Sequence, residues 1–417
     1  MGSLKRYLRK LGPGLITGAS DDDPSGIGTY SVAGASLGYS TLWMALFTLP
    51  LMSAVQLICA RVGMVSGRGI ASVVRRRYGL AVLLPMVLAL TVANTINAGA
   101  DLGAIASALA LLAPIPPALS VVPISLTLVA LQVWGSYRLI ASVFRWLTLT
   151  LLAYIGSALF AHPDALAVVK ATFVPHLELS KPFLATVVAI LGTTISPYLF
   201  FWQADQEVEE ETAKGRHWVW QRKGATRDEL SRSKTDVYTG MLLSQVVMYF
   251  IILSTAATLH QAGKTSIQSA TQAAEALRPL AGEWARALLA LGLIGAGFLA
   301  VPILTGSAAY AVSEALGWRC GLDERPSRAQ GFYAVIVGST AVGALLNYAG
   351  VNPMTALFWT AVLNGLVAPP LLVVIMLLAR DEKVMGRQVN TRPLNVLGWL
   401  TTGLMFMAAI GLAVTWR

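Results

Sequence analysis

Long apolar runs separated by short polar connections dominate the chain. Eleven runs are long enough to cross a bilayer, which takes roughly 20 residues of helix. They cover 12–37, 42–64, 80–112, 118–134, 140–160, 183–205, 237–259, 284–316, 330–347, 355–379 and 393–414. The pattern predicts an all-α integral membrane protein with 11 transmembrane helices in a single domain over 1–417, with no second soluble domain.

Two of the runs carry a defect. The first contains ASDDDPSGIG at 19–28, and the sixth contains LGTTISPYLFFWQ at 191–203, with Pro197 in its middle. Proline lacks an N–H and clashes with the preceding turn, so both helices are expected to unwind there. Non-helical backbone at membrane depth is tolerated only where it lines a protein or water cavity. The odd number of runs from one break to the other makes the two broken helices run in opposite directions. That is the arrangement of two inverted five-helix repeats, here 12–160 and 183–379, with discontinuous helices 1 and 6 and an extra helix at 393–414. Substrate in such an arrangement sits near the midplane, where the broken helices meet.

Composition strengthens the membrane reading. The chain is 55% hydrophobic and only 12% charged, about half the charge of a typical soluble domain. Its net charge of +10 does not point to nucleic acid, because the basic residues gather in alternate connections. These are Lys5, Arg6, Arg9 and Lys10; Arg61, Arg68 and Arg75 to Arg77; Arg138 and Arg145; the polar stretch 207–236; Arg319, Arg325 and Arg328; and Arg380, Lys383, Arg387 and Arg392. The positive-inside rule then puts the N-terminus in the cytoplasm and the C-terminus outside, in a bacterial-type inner or plasma membrane. The first run reads as a retained segment rather than a cleaved signal. The stretch 207–236 reads as a cytoplasmic linker, partly helical at EVEEETAKGR.

The breaks carry the candidate chemistry. An ionised carboxylate at the bilayer centre costs about 2.5–3.5 kcal/mol even on a lenient scale, so three in a row are not there for packing. Beside the free carbonyls of a half-helix end, they offer an oxygen cage for a hard cation. Asp23 adjoins the proline and is the first candidate ligand. Ser20, Asp22 and Gly26 flank it, and Asp21 and Asp22 suit an approach path. The second break adds Thr193, Thr194, Ser196 and Tyr198, again all oxygen. With no sulfur or imidazole near the break, Mg, Ca or Mn suit the site better than Zn, Cu or Ni. Plainer roles remain open. Asp23 can cap the following half-helix, which is compatible with metal binding. The hydroxyls can bond back to helix carbonyls. The acids are adjacent in sequence and face no Asp, His or Ser–Lys partner in another run, so the chain does not read as an enzyme. Four histidines (His162, His176, His217, His260) lie in polar connections, and two cysteines, Cys59 and Cys320, make neither a disulfide framework nor a metal-site spacing.

The segment GPGLITGASDDDPSGIGTYSVAGASLGYSTLW resembles the first helix of the NRAMP divalent-metal transporters, whose break reads Asp-Pro-Gly-Asn. LGTTISPYLFFWQ resembles their sixth helix, whose break reads Met-Pro-His. The resemblance implies the LeuT-type fold and a metal that is substrate rather than cofactor. Asp23 matches the family's metal-binding aspartate. Gly26 stands at its asparagine ligand and Ser196 at its methionine ligand. These departures resemble the NRAMP-related magnesium transporters. The thioether that favours transition metals is absent, and a wider all-oxygen site suits Mg2+, which keeps its water. Tyr198 and Gln203 stand at the family's two sixth-helix histidines. After Asp101–Leu102 come Gly103 and Ala104 instead of an acid. The resemblance therefore implies import of Mg2+, with Mn2+ as a further substrate, bound partly hydrated and without proton coupling. A membrane potential supplies a divalent ion with about 4.6 kcal/mol per 100 mV. The alternative is a proton-coupled Mn2+/Fe2+ transporter of the NRAMP type. Asn364 matches a cavity-facing polar residue or else serves helix packing, and Asn94 and Asn97 share that ambiguity. The acids of 204–211 either attract exiting cations or form a solvated helix end balanced by Lys214, Arg216 and Arg222. The expected partners are the cation and the lipid bilayer, with no nucleic acid; the sequence leaves the oligomeric state open, a monomer being compatible with it.

Overall fold

A computed structural model describes residues 12–135 and 149–415. Lys5, Arg6, Arg9, Lys10, Arg138, Arg145 and the first part of the fifth run lie outside the described residues. Each apolar run is helical where it is described, and there is no strand among the described residues. The first run gives α1 (Pro13–Asp21) and α2 (Pro24–Leu37). Then follow α3 (Trp43–Ser66), α4 (Ile70–Tyr78), α5 (Leu80–Leu112), α6 (Pro117–Trp134), α7 (Ala153–Phe160) and α8 (Ala165–Phe173). The sixth run gives α9 (Lys181–Thr194) and α10 (Pro197–Ala213). The chain ends with α11 (Arg227–Thr255), α12 (Ala285–Leu316), α13 (Gln330–Leu346), α14 (Pro353–Arg380) and α15 (Arg392–Thr415). Eight helical stretches among the described residues are long and apolar enough to cross a membrane, with α9 and α10 taken together as one. Eleven exceeds that number because the first run is broken, the fifth is described only in part, and α13 has 17 residues.

Proline alone does not break these helices. Pro50, Pro85, Pro123 and Pro302 all sit inside continuous ones. Pro24 and Pro197 differ because each starts a new helix, where its missing N–H is not needed. The residue before each is extended: Asp23 at φ −67°, ψ 168° and Ser196 at φ −76°, ψ 133°. Two residues are thus unwound at each break, Asp22–Asp23 and Ile195–Ser196.

The packing brings the breaks together. α1 lies along α11, α2 packs on α11 and α14, and α9 packs on α14. A Cβ on Gly18 would overlap the backbone of Gly240, and one on Gly14 would come within 2.6 Å of Val237 N. Only small residues let two backbones approach so closely, and this contact holds α1 against α11. Outward, Leu88, Leu126 and Met407 are 66%, 64% and 63% exposed, as side chains facing lipid must be.

The stretch 207–236 is not a linker. α10 continues to Ala213, and α11 begins at Arg227 behind a capping box between Thr226 and Glu229. Two of its acids are not solvated: Glu207 is 6% and Glu211 4% exposed. Glu207 accepts from Gln203 (3.1 Å) and Ser233 (2.8 Å), while Glu211 pairs with Lys214 and Arg216. The balance of Glu211 by Lys214 and Arg216 is local and expected from the sequence; the bond from Ser233 to Glu207 is not, because Ser233 comes from another helix.

Candidate functional site

The three aspartates are all removed from solvent: Asp21 is 0%, Asp22 4% and Asp23 1% exposed. They do not point the same way. Asp23 caps α2, its Oδ1 accepting from the backbone N–H of Gly26 (2.6 Å) and from Ser25 Oγ (2.8 Å). Its Oδ2 accepts from Asn97 Nδ2 on α5 (3.1 Å). Three donors from two helices fix this carboxylate, and such charge-assisted bonds are the strong ones. Asp21 and Asp22 turn instead toward α11. Ser244 Oγ lies 2.6 Å from Asp21 Oδ2 and 3.3 Å from Asp22 Oδ1. Asp21 Oδ1 is buried without a hydrogen-bond partner.

Gly26 is where the two breaks meet. The place a Cβ would take is bordered by Thr193 Oγ1 at 3.0 Å, the Asp21 carbonyl oxygen at 3.2 Å and Asp23 Oδ1 at 3.3 Å. One oxygen comes from the end of α9, one from the end of α1 and one from the start of α2. A side chain on residue 26 would fill the space these oxygens share. The donor set is a carboxylate, a hydroxyl and a peptide carbonyl, which is the chemistry of a hard-cation site.

The other expected residues near the breaks take different roles. Ser196 Oγ donates back to the carbonyls of Gly192 (2.8 Å) and Thr193 (2.6 Å), the local bonding that a break-adjacent serine was equally expected to make. Tyr198 OH donates to the carbonyl of Ser20 (3.1 Å), tying α10 to the last turn of α1. Ser20 Oγ itself donates to Thr17 O. Asn364 is buried on α14 and its amide makes no hydrogen bond. Its neighbour Gly365 packs against Val188 of α9. Asp101, one turn beyond Asn97 on α5, is fully buried and neither of its carboxylate oxygens makes a hydrogen bond.

On the α1 side, polar contacts tie α1 to α10 and α11. Thr17 Oγ1 donates to Gln203 Oε1 (2.7 Å), and Gln203 Nε2 donates to Glu207. Asp236 accepts from the backbone N–H groups of Gly12 (2.8 Å), Gly14 (2.6 Å) and Leu15 (3.0 Å), capping the start of α1. Ser244 and Asp236 were not legible as site residues, since a serine in an apolar run and an acid before one are both common. Asn97 was visible as a polar residue in a membrane helix, but not which break it serves.

Comparison with known proteins follows the same lines. The family model described as "Natural resistance-associated macrophage protein-like" (Nramp) matches residues 14–415. The chain is 26% identical over 407 residues to the divalent metal cation transporter MntH of Deinococcus radiodurans, covering 95% of this chain and 87% of that one. It is 24% identical over 412 residues to MntH of Bacillus subtilis, covering 97% and 91%. Among solved structures it is similar to the manganese transporter of Eremococcus coleocola bound to an aromatic bis-isothiourea compound. That match has a TM-score of 0.76 and 20% identity, over 99% of this chain and 87% of that one. The inward-facing form of Mhp1 matches with a TM-score of 0.53 and 15% identity, over 97% and 90%.

Proposed function

This chain belongs to the Nramp family, and from that premise we propose that it carries divalent metal cations across a membrane, with the ion held between the two helix breaks. Members of the family carry the metal as substrate, not as a cofactor, and are not enzymes. The observation that carries the reading is the space beside Gly26, bordered by oxygens of Asp23, Thr193 and Asp21. We assign the ion-holding role to Asp23, Thr193 and the Asp21 carbonyl. Ser196, Tyr198 and Ser20 shape the backbone around them, Asp22 lines the approach with Asp21, and Asn364 lines the α14 side.

For the identity of the ion, two lines of support pull apart. The relatives are named as divalent metal and manganese transporters, which supports Mn2+. The oxygen-only donor set, with Gly26 in place of a larger ligand and Ser196 in place of a thioether, supports a hard ion that keeps water, hence Mg2+ as well. Mn2+ satisfies both. On coupling, Gln203 and Tyr198 offer no imidazole to relay protons, which supports uptake driven by gradient and voltage. The second reading, proton-coupled transport of Mn2+ or Fe2+, is supported by the named relatives and by Asp101, a buried carboxylate with no hydrogen-bond partner.

Uptake of Mn2+ and Mg2+ into proteoliposomes, with a pH dye inside, separates the readings. The expected result is entry of both ions without internal acidification, abolished by Asp23→Ala. Acid-stimulated Mn2+ uptake with internal acidification and no Mg2+ entry establishes the second reading instead.

A further inference from the structure

Away from the breaks, a cavity of about 560 Å3 opens between α10, the start of α4 and the end of α12. Asp205 lines it, about 12 Å further along α10 than the break at the helical rise of 1.5 Å per residue. Asp205, Glu209, Glu314, Asp323 and Glu324 face the cavity against Arg68 and Arg222. Loop charge assigns this face to the cytoplasm.

Two of these acids converge. The place a Cβ on Gly69 would take lies 2.6 Å from both carboxylate oxygens of Glu314 and closer still to Asp205 Oδ1. The glycine makes room for two carboxylates to approach each other. Glu314 is held there by the N-terminus of α4, accepting from Gly69 N (3.2 Å) and Ser72 N (2.9 Å). Asp205 is 3% exposed, and its Oδ2 has no hydrogen-bond partner. Glu209 is bonded to Tyr310 OH (2.9 Å) beside them. Among the described residues, none of these three acids forms an ion pair. Two like charges this close repel unless a cation or a shared proton stands between them. The two arginines on the wall are not bonded to either.

We propose that this cavity is a second divalent-cation site, in which Asp205 and Glu314 bind a hard ion that keeps most of its water. Two carboxylates and a retained water shell are a usual way to hold Mg2+ or Mn2+. The cavity has ample room for those waters, each of which takes about 30 Å3 in the liquid. Glu209 reaches the ion through its water shell. The ion is of the class proposed for transport, but the site is separate from the break, so the two are tested independently.

The test is equilibrium binding of Mn2+ to the purified full-length chain, counted by electron paramagnetic resonance, with Mg2+ as competitor. The wild type is expected to bind two ions, and Asp23→Ala to bind one. Adding Asp205→Asn to Asp23→Ala weakens the remaining site at least tenfold. Glu314→Gln, which keeps an acceptor for Ser72 N but not for Gly69 N as well, does the same. If the double variant binds Mn2+ like Asp23→Ala alone, or if Asp23→Ala binds none, the second site is overturned. If Asp205→Asn raises the melting temperature with Mn2+ binding unchanged, the two carboxylates share a proton and the proposal fails. If Asp23→Ala still binds as many ions as wild type, it is the break site that fails. The cavity site is then judged from Asp205→Asn alone.

Discussion

Replacing Gly26 with alanine tests where the transported ion stands. The new Cβ would lie 3.0 Å from Thr193 Oγ1, 3.2 Å from the Asp21 carbonyl and 3.3 Å from Asp23 Oδ1. Metal–oxygen contacts for Mg2+ need about 2.0–2.1 Å, so a methyl group among these oxygens takes the ground a cation or its water would occupy. Losing one contact to a charged group costs about 1.5–3 kcal/mol, which is roughly a 10- to 150-fold loss of affinity. The fold is expected to survive. Alanine is a better helix former than glycine by about 1 kcal/mol, and Gly26 lies in the first turn of α2 with negative φ. Mn2+ binding at the break, titrated calorimetrically in an Asp205→Asn background that silences the cavity, should therefore weaken at least tenfold while the chain stays folded. Gly28→Ala is the matched control. Its Cβ would press at 3.1 Å on Leu357 Cδ1, a flexible apolar group that can yield, and binding should stay near wild type. Wild-type affinity and uptake in Gly26→Ala would refute the placement of the ion beside Gly26.

Asp23→Asn keeps the cap, since asparagine caps helices as well as aspartate, but removes the charge. With its oxygen on the Gly26 side, the new amide NH2 meets Asn97 Nδ2 and that one bond is lost; uptake should fall by about 100-fold, for a loss near 3 kcal/mol, while the chain stays folded. Gly26→Asn combined with Ser196→Met restores an amide and a thioether at the break, and competition assays should show Cd2+ gaining on Mg2+ at least tenfold, from ligand softness. Asp236→Asn weakens the bonds to the start of α1. Losing about 1–2 kcal/mol of capping should speed amide exchange in 13–21 by roughly 5- to 30-fold, and unchanged exchange would remove Asp236 from the contacts that tie α1 to α11.

The two breaks could be read from the chain, and the reason lies in what proline and charge do in a membrane. Asp-Pro at 23–24 and Ser-Pro at 196–197 mark unwound backbone because each proline starts a helix behind an extended residue. The same residue inside α3, α5, α6 and α12 unwinds nothing, so the aspartates and the matched position of the second break distinguished the two. The polar stretch 207–236 was misleading. Its composition looks solvated, yet Glu207 and Glu211 are buried because Ser233, Lys214 and Arg216 come to meet them.

The sequence by itself determined the helical membrane class, the two breaks and the oxygen character of the residues around them, because hydropathy, proline geometry and side-chain chemistry are local properties. Tertiary structure alone decided which oxygens share a space. Three adjacent aspartates diverge, one to Asn97 and two to Ser244, because helices remote in sequence supply the donors. Thr193 rather than Ser196 turns its hydroxyl toward Gly26, because Ser196 spends its own on the preceding turn. Which of several oxygens faces a cavity depends on how two half-helices pack, and no pattern within either half records that.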